Sequence, residues 1–275
     1  MSARGAFARI VSGGDSAIEI DRTALLIAAE EYPDLIVDDY LGKLDDMAER
    51  VRQRLYADAG PHETVARLNQ VLFDEEGFRG DDKEYYDPRN SYLNEVIDRR
   101  IGIPITLSAV YGEVARRVGF ELRGIGFPGH FLLKHETEEG KILIDAFYRG
   151  KILTHDDCRE RLKQNFKDKL EFHPRQLQST TPRLMLFRIL NNLKGIYVNR
   201  REHVRALAAV ERMLLLVPDS PSEVRDRGIL LSGVGRPLEG VSELARYLKL
   251  KPDAPDRERV EGIIDRLRLQ IGMAN

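Results

Sequence analysis

The sequence predicts an α+β fold followed by an all-α helical module. Three observations carry this. Apolar residues recur three and four apart between positions 37 and 118, the period of helices. Over residues 120–147 the period changes to two, that of strands. Beyond Pro182 the chain is helical again, with Pro218-Asp219 and Pro252-Asp253 closing amphipathic helices 34 residues apart. The 275 residues suit one large domain or two ordinary ones, and a hydrophobic share of 42% is enough for a sizeable core.

Taken in order, residues 1–20 are expected to form a flexible lead, with Gly13-Gly14-Asp15 as a loop signal. Asp21 caps a first helix, which ends near Tyr32-Pro33 because proline cannot continue it. A second helix is expected over 37–58, where Leu41, Leu44, Met47, Val51 and Leu55 form one stripe. Gly60-Pro61 breaks it, and a third helix runs over 62–74. Residues 77–89, with Gly77, Gly80, Asp81-Asp82 and Asp87-Pro88, carry loop chemistry. A short helix over 92–99 leads into the turn Gly102-Ile103-Pro104. Proline suits the first helical position, where its missing N–H costs nothing. The helix that follows, 105–118, turns Leu107, Val110, Tyr111 and Val114 inward and stops at Gly119.

Three strands are expected next, over 120–127, 130–135 and 141–147, with a turn at Pro128-Gly129 and a polar hairpin over 136–140. The core is then a helix packed on a small antiparallel sheet. The 34-residue spacing is that of tetratricopeptide repeats. It places Leu190, Leu193 and Tyr197 on one helix, Ala206 at a small crossing position, Gly228 and Leu231 on the next helix, and Gly240 at the next crossing. The expected domains are 21–175, with N-terminal helices and the sheet, and 182–271, the repeat-like helices.

Composition narrows the function classes. A net charge of −2, with each basic pair interleaved with acids, gives no basic stripe, so no nucleic-acid partner is expected. The single cysteine, Cys158, rules out an internal disulfide and any multi-cysteine zinc site. No apolar run resembles a signal peptide or a membrane span, so a cytoplasmic protein without membrane contact is expected. His130, His135, Asp145 and His155 form no helical metal-binding pair, and no metal or cofactor is expected.

One constellation carries chemistry. His130 and Asp145 lie 15 residues apart on strands joined by one hairpin. The carboxylate would fix one ring nitrogen, and the helix opening at Pro104 would present its N-terminus to the pair. That is the logic of a Cys-His-Asp acyl-transfer site. Asn90, Asn94 and Arg99 either cap and hydrogen-bond the loop or line the cleft, and Pro104 and Thr106 at the helix start are expected to line it with them.

These residues resemble a known family. Asn90-Ser91-Tyr92-Leu93-Asn94, Arg99 to Leu107, Phe127-Pro128-Gly129-His130-Phe131 and Ile144-Asp145-Ala146-Phe147 look like the core of the transglutaminase-like superfamily, related in fold to papain-type cysteine proteases. With the repeats, the chain resembles the SirB-type bacterial proteins. The resemblance implies a Gly-x-Cys triplet at the helix start, fifteen residues before the closing glycine; Gly102-Ile103-Pro104 stands there, so Pro104 replaces the cysteine. A catalytically incomplete domain that binds a protein or peptide, joined to a repeat module that binds a partner, is the expected function. The alternative is a hydrolase or acyl transferase that uses His130 and Asp145 with activated water or another nucleophile: Thr106, Ser108 or Cys158.

Overall fold

The computed structural model describes residues 2–137, 140–167 and 169–273. The chain divides into two compact units, residues 1–189 and 190–275.

The first unit opens with helices α1 (Ala3–Ser12), α2 (Ile20–Ala28), α3 (Val37–Arg52) and α4 (Pro61–Asn69), the last continued by a π turn over Gln70–Glu75. The flexible lead expected for residues 1–20 is corrected: Ser2 caps α1 by accepting from the Gly5 amide, and Phe7 and Val11 are buried. Burying two apolar side chains outweighs the glycine signal that follows them. Helix α3 stops at Arg52, six residues short of the expected end, and the Arg54 guanidinium covers the Arg50 carbonyl.

Two short strands, β1 (Arg79–Gly80) and β2 (Ile101–Gly102), pair in parallel on either side of α5 (Leu93–Arg99). Helix α6 (Pro104–Arg117) follows at once and is the axis of the unit. Ile105, Leu107, Val110, Tyr111 and Val114 are buried on it, and so are Thr106, Ser108 and Ala109, so it is covered on nearly all sides. Gly119 ends it with φ of +79°, the left-handed backbone that glycine adopts without strain.

The sheet is an antiparallel meander, β3 (Arg123–Ile125), β4 (Leu132–Thr137), β5 (Gly140–Asp145) and β6 (Lys151–Leu153), in that order. Leu133 faces Ile144 across the β4–β5 pair, and Asp145 faces Lys151 across β5–β6. The hairpin expected over 136–140 includes residues 138 and 139, which lie outside the described residues. The fourth strand and the helix after it, α7 (His155–Phe166), go beyond the sequence expectation. The apolar face of the sheet (Ile125, Leu132, Leu143, Leu153) packs with Phe127, Cys158, Leu162 and Leu177.

Helix α8 (Pro182–Asn199) carries the division between the units, which the sequence reading opens at 182. The second unit contains α9 (His203–Leu216), α10 (Pro221–Gly233), α11 (Pro237–Leu250) and α12 (Arg257–Met273). Helix α10 packs on α9 and on α11, and α11 packs on α12. A Cβ at Gly240 would sit 2.2 Å from Ser232 Oγ and 2.8 Å from the Gly228 carbonyl, so only glycine lets α10 and α11 approach this closely. Ala206 is fully buried at the corresponding position of α9. No helix among the described residues is long and apolar enough to cross a membrane.

Candidate active site

The site forms where a turn, a strand end, the start of α6 and the second half of α7 converge. Residues Phe127 to His130 make a turn closed by the His130 amide on the Phe127 carbonyl at 3.0 Å. Pro128 and Gly129 occupy its centre, and Gly129 has φ of +67°, as a proline–glycine turn requires. Arg188 pins this turn, donating from Nη2 to the His130 carbonyl at 2.6 Å and to the Phe127 carbonyl at 3.2 Å. His130 therefore lies in the turn before β4, not on the strand as expected, because β4 begins only at Leu132. Asp145 is the last residue of β5.

His130 Nε2 lies 3.0 Å from both carboxylate oxygens of Asp145. The carboxylate is fully buried, and the ring is 7% exposed. Asp145 Oδ1 also accepts from the backbone amides of Phe147 at 3.1 Å and Tyr148 at 3.3 Å. Its Oδ2 pairs with Arg161 Nη1, which comes from α7. A buried carboxylate is costly unless paired and hydrogen-bonded, and this one is both. The ring meets the Phe147 edge at 5.8 Å and stacks with Tyr148 at 6.0 Å, while Arg161 lies over the Tyr148 ring at 4.7 Å.

The ring borders a pocket of about 460 Å³, lined by Asp82, Tyr85, Pro104, Gly129, His130, Phe147, Tyr148, Lys151, Arg161, Gln164 and Asn165. None of these is Cys, Ser or Thr. Burial raises the Tyr85 phenol above its usual range.

Of the five residues expected to line the cleft, Pro104 is among the residues that border this pocket, and Asn90, Asn94, Arg99 and Thr106 are not. The side chains of Asn90, Arg99 and Thr106 hold the loop and the helix start. Asn90 Nδ2 donates to Asp81 Oδ2 and to the Glu84 carbonyl, both at 2.9 Å, and Asn90 Oδ1 accepts from Arg99 at 3.1 Å. The Glu84 amide, then Asn90 and the Lys83 amide, hold the Asp81 carboxyl below its usual range. Thr106 Oγ1 donates to the Asn90 carbonyl at 2.7 Å and accepts from the Ile103 amide at 3.1 Å, covering the start of α6. This network sets the 81–90 loop, and that loop delivers Asp82 and Tyr85 to the pocket. Asn94 is buried on α5.

The other candidate nucleophiles lie elsewhere. Ser108 is 1% exposed and faces a separate cavity of about 570 Å³ beside Gly112, Leu133 and Met185. Cys158 is fully buried in the apolar cluster, and burial pushes its thiol up to about 11. His135 stacks on Phe120 at 4.1 Å, and His155 lies near Phe172 at 5.7 Å. Among the described residues no group of three or more His, Cys, Asp or Glu is placed to hold a metal ion.

The sequence reading missed Arg161, the second partner of Asp145. A signal was present: Thr154 and Asp157 form a reciprocal capping box that announces α7, with Thr154 Oγ1 accepting from the Asp157 amide at 3.1 Å and Asp157 Oδ2 accepting from the Thr154 amide at 2.8 Å.

Residues 38–191 match a family described as the transglutaminase-like superfamily, and residues 193–264 match the tetratricopeptide repeat. A UPF0162 protein of Xylella fastidiosa is 37% identical over 251 residues, covering 90% of this chain and 89% of the relative. A UPF0162 protein of Pseudomonas aeruginosa is 31% identical over 237 residues, covering 86% of each. F-box only protein 21 of Homo sapiens is 41% identical over 99 residues, covering 33% of this chain and 16% of that protein. No solved structure matches the chain.

Proposed function

The chain belongs to the transglutaminase-like superfamily and joins that domain to tetratricopeptide repeats; from this premise we propose that it is a non-catalytic scaffold that binds a protein or peptide. The transglutaminase-like pocket is one binding site and the repeat helices are a second. The observation that carries this reading is the pocket lining: Pro104, at the first position of α6, lines the same pocket as His130 where the resemblance implies a cysteine, and among the described residues no lining residue is Cys, Ser or Thr. Without a nucleophile, the His130–Asp145 pair has no proton to take for acyl transfer. The fold alone licenses no activity. SirB-type membership and a cytoplasmic setting are part of the same reading.

The alternative is water activation by His130. His130 borders the pocket and Asp145 holds only its Nε2, which leaves Nδ1 for the role of general base. One experiment separates the two. Purified full-length protein is incubated with an activated ester and with a glutamine-donor peptide plus an amine. The scaffold reading expects no turnover above buffer for wild type or His130→Ala. It expects Pro104→Cys to introduce a thiol that alkylates faster than free cysteine, because the helix start and the imidazole favour thiolate. Wild-type turnover abolished by His130→Ala would establish the hydrolase instead.

A further inference from the structure

The floor of the pocket and its rim differ in charge. The buried lining residues are Pro104, His130 and Phe147, with Arg161 half-buried beside them. Asp145 lies behind His130 and Arg161 and is fully buried, so it presents no carboxylate oxygen to the pocket. The lining acid, Asp82, is exposed, as is Lys151, which pairs with Asp157 at 2.7 Å. Two basic side chains thus face inward at the bottom of a hole whose acids lie at its rim or behind its wall.

Both have donor capacity left. His130 is more than nine-tenths buried, Nε2 is held by Asp145, and Nδ1 makes no hydrogen bond among the described residues. In its doubly protonated form that nitrogen is a donor. Arg161 is bonded to Asp145 through Nη1, which leaves its other guanidinium N–H groups for a ligand. The N-terminus of α6, a 14-residue helix that starts at Pro104 on the same wall, adds the positive end of its dipole. In a thiol-containing site these features would stabilise a resident thiolate. Here the anion has to come from outside.

We propose that the pocket floor binds the carboxylate group of a peptide, with His130 and Arg161 as the donors. This rests on the reading that no nucleophile occupies the site. A carboxylate matches the donors on the floor: the guanidinium of Arg161 is already shared with the buried Asp145, and one guanidinium and one ring nitrogen suit the two oxygens of a carboxylate better than a phosphate, which has more charge and more oxygens to satisfy. The volume of about 460 Å³ lies within the range of about 300–1,000 Å³ for small-ligand pockets, and Phe147, Tyr148 and Pro104 offer apolar surface to the adjoining side chain.

The test uses full-length protein with isotope-labelled histidine and three probes: N-acetylphenylalanine, its C-terminal amide, and N-acetylglutamate α-amide. The ring signals of His130 are followed by NMR during titration. N-acetylphenylalanine should shift them saturably, and the phenylalanine amide should bind at least about tenfold more weakly, the worth of a charge-assisted hydrogen bond. Equal binding by the glutamate amide means that the floor accepts a side-chain carboxylate as well as a terminal one, and its failure assigns the site to a chain terminus; both support a carboxylate site. Equal binding of the acid and the amide of phenylalanine, or no shift of His130 by any probe at millimolar concentration, would overturn the proposal. Because these comparisons use wild-type protein, they do not depend on whether His130→Ala folds. Ester turnover by wild type would end the scaffold reading while leaving this binding result to stand on its own.

Discussion

The Asn69 side-chain amide donates to the Gly150 carbonyl at 3.1 Å, across 81 positions of sequence. The other end of the same amide, Asn69 Oδ1, accepts from the Tyr111 hydroxyl at 3.0 Å. A residue of α6 is thereby tied through Asn69 to the 145–150 turn, whose first member is the carboxylate of the site. The turn is closed by the Gly150 amide on the Asp145 carbonyl at 2.8 Å.

Gly150→Ala should therefore be severely destabilising. Gly150 has φ of +70°, and an added Cβ would lie 1.8 Å from Asn69 Oδ1. The strained backbone costs about 1–2 kcal/mol and the lost hydrogen bond about 1 kcal/mol more, with the clash on top. Urea unfolding should show the midpoint falling by the corresponding amount. The double variant Gly150→Ala, Asn69→Ala removes the clash, so its loss should be smaller than the sum of the two single losses. Strict additivity would mean that the two side chains are not coupled as described.

Arg161→Met should cost about 3–5 kcal/mol, the usual penalty for removing one partner from a buried ion pair. Asp145 is fully buried and Arg161 is one of its two charged or chargeable side-chain partners. Adding Asp145→Asn to Arg161→Met should restore part of the stability, since it removes the uncompensated charge. The measurement is chemical denaturation of the three variants. A loss below about 1 kcal/mol for Arg161→Met would place the pair in the class of solvent-screened surface bridges.

That pair also marks the limit of what the sequence revealed. Period and turn chemistry placed α6, the sheet and the repeat crossings at Ala206 and Gly240, because each of those rests on local pattern or on a small residue at a fixed spacing. The separation of His130 and Asp145 also showed that they can meet across one hairpin. Arg161 was not legible as a site residue, since its role depends on α7 folding back across the strand ends, a contact between segments with no shared period. Asn90, Arg99 and Thr106 were legible as polar residues near the site but not as a network behind it. Their distinction from Pro104 is one of direction, which spacing does not report.

Cys158 should be chemically silent in the folded chain. It has no accessible surface, and its thiol is pushed up to about 11 by burial. At pH 8 the thiolate is then roughly one part in a thousand, against about a quarter for an ordinary thiol. Disulfide reagents should react at least about a hundredfold more slowly with the native protein than with the urea-unfolded chain. Rapid stoichiometric labelling at pH 7 would reopen Cys158 as a nucleophile.

Glu113 gives a pH dependence with a definite sign. It is buried on α6 beside Arg116 and Arg117, and burial, with the Asp21 carboxylate nearby, raises its carboxyl above the usual range. A raised folded-state value means that the native protein holds the proton longer than the unfolded chain. Unfolding free energy from this group is therefore fully present below the unfolded value and falls as pH rises through the folded one. Glu113→Gln keeps a side-chain acceptor for the two arginines and has no proton to lose. The stability of Glu113→Gln relative to wild type should then increase as pH is raised from acid conditions to neutrality. Urea denaturation of both proteins at several pH values measures this difference directly. A relative stability that falls over the same interval would mean that the arginines, and not burial and Asp21, dominate the environment of Glu113.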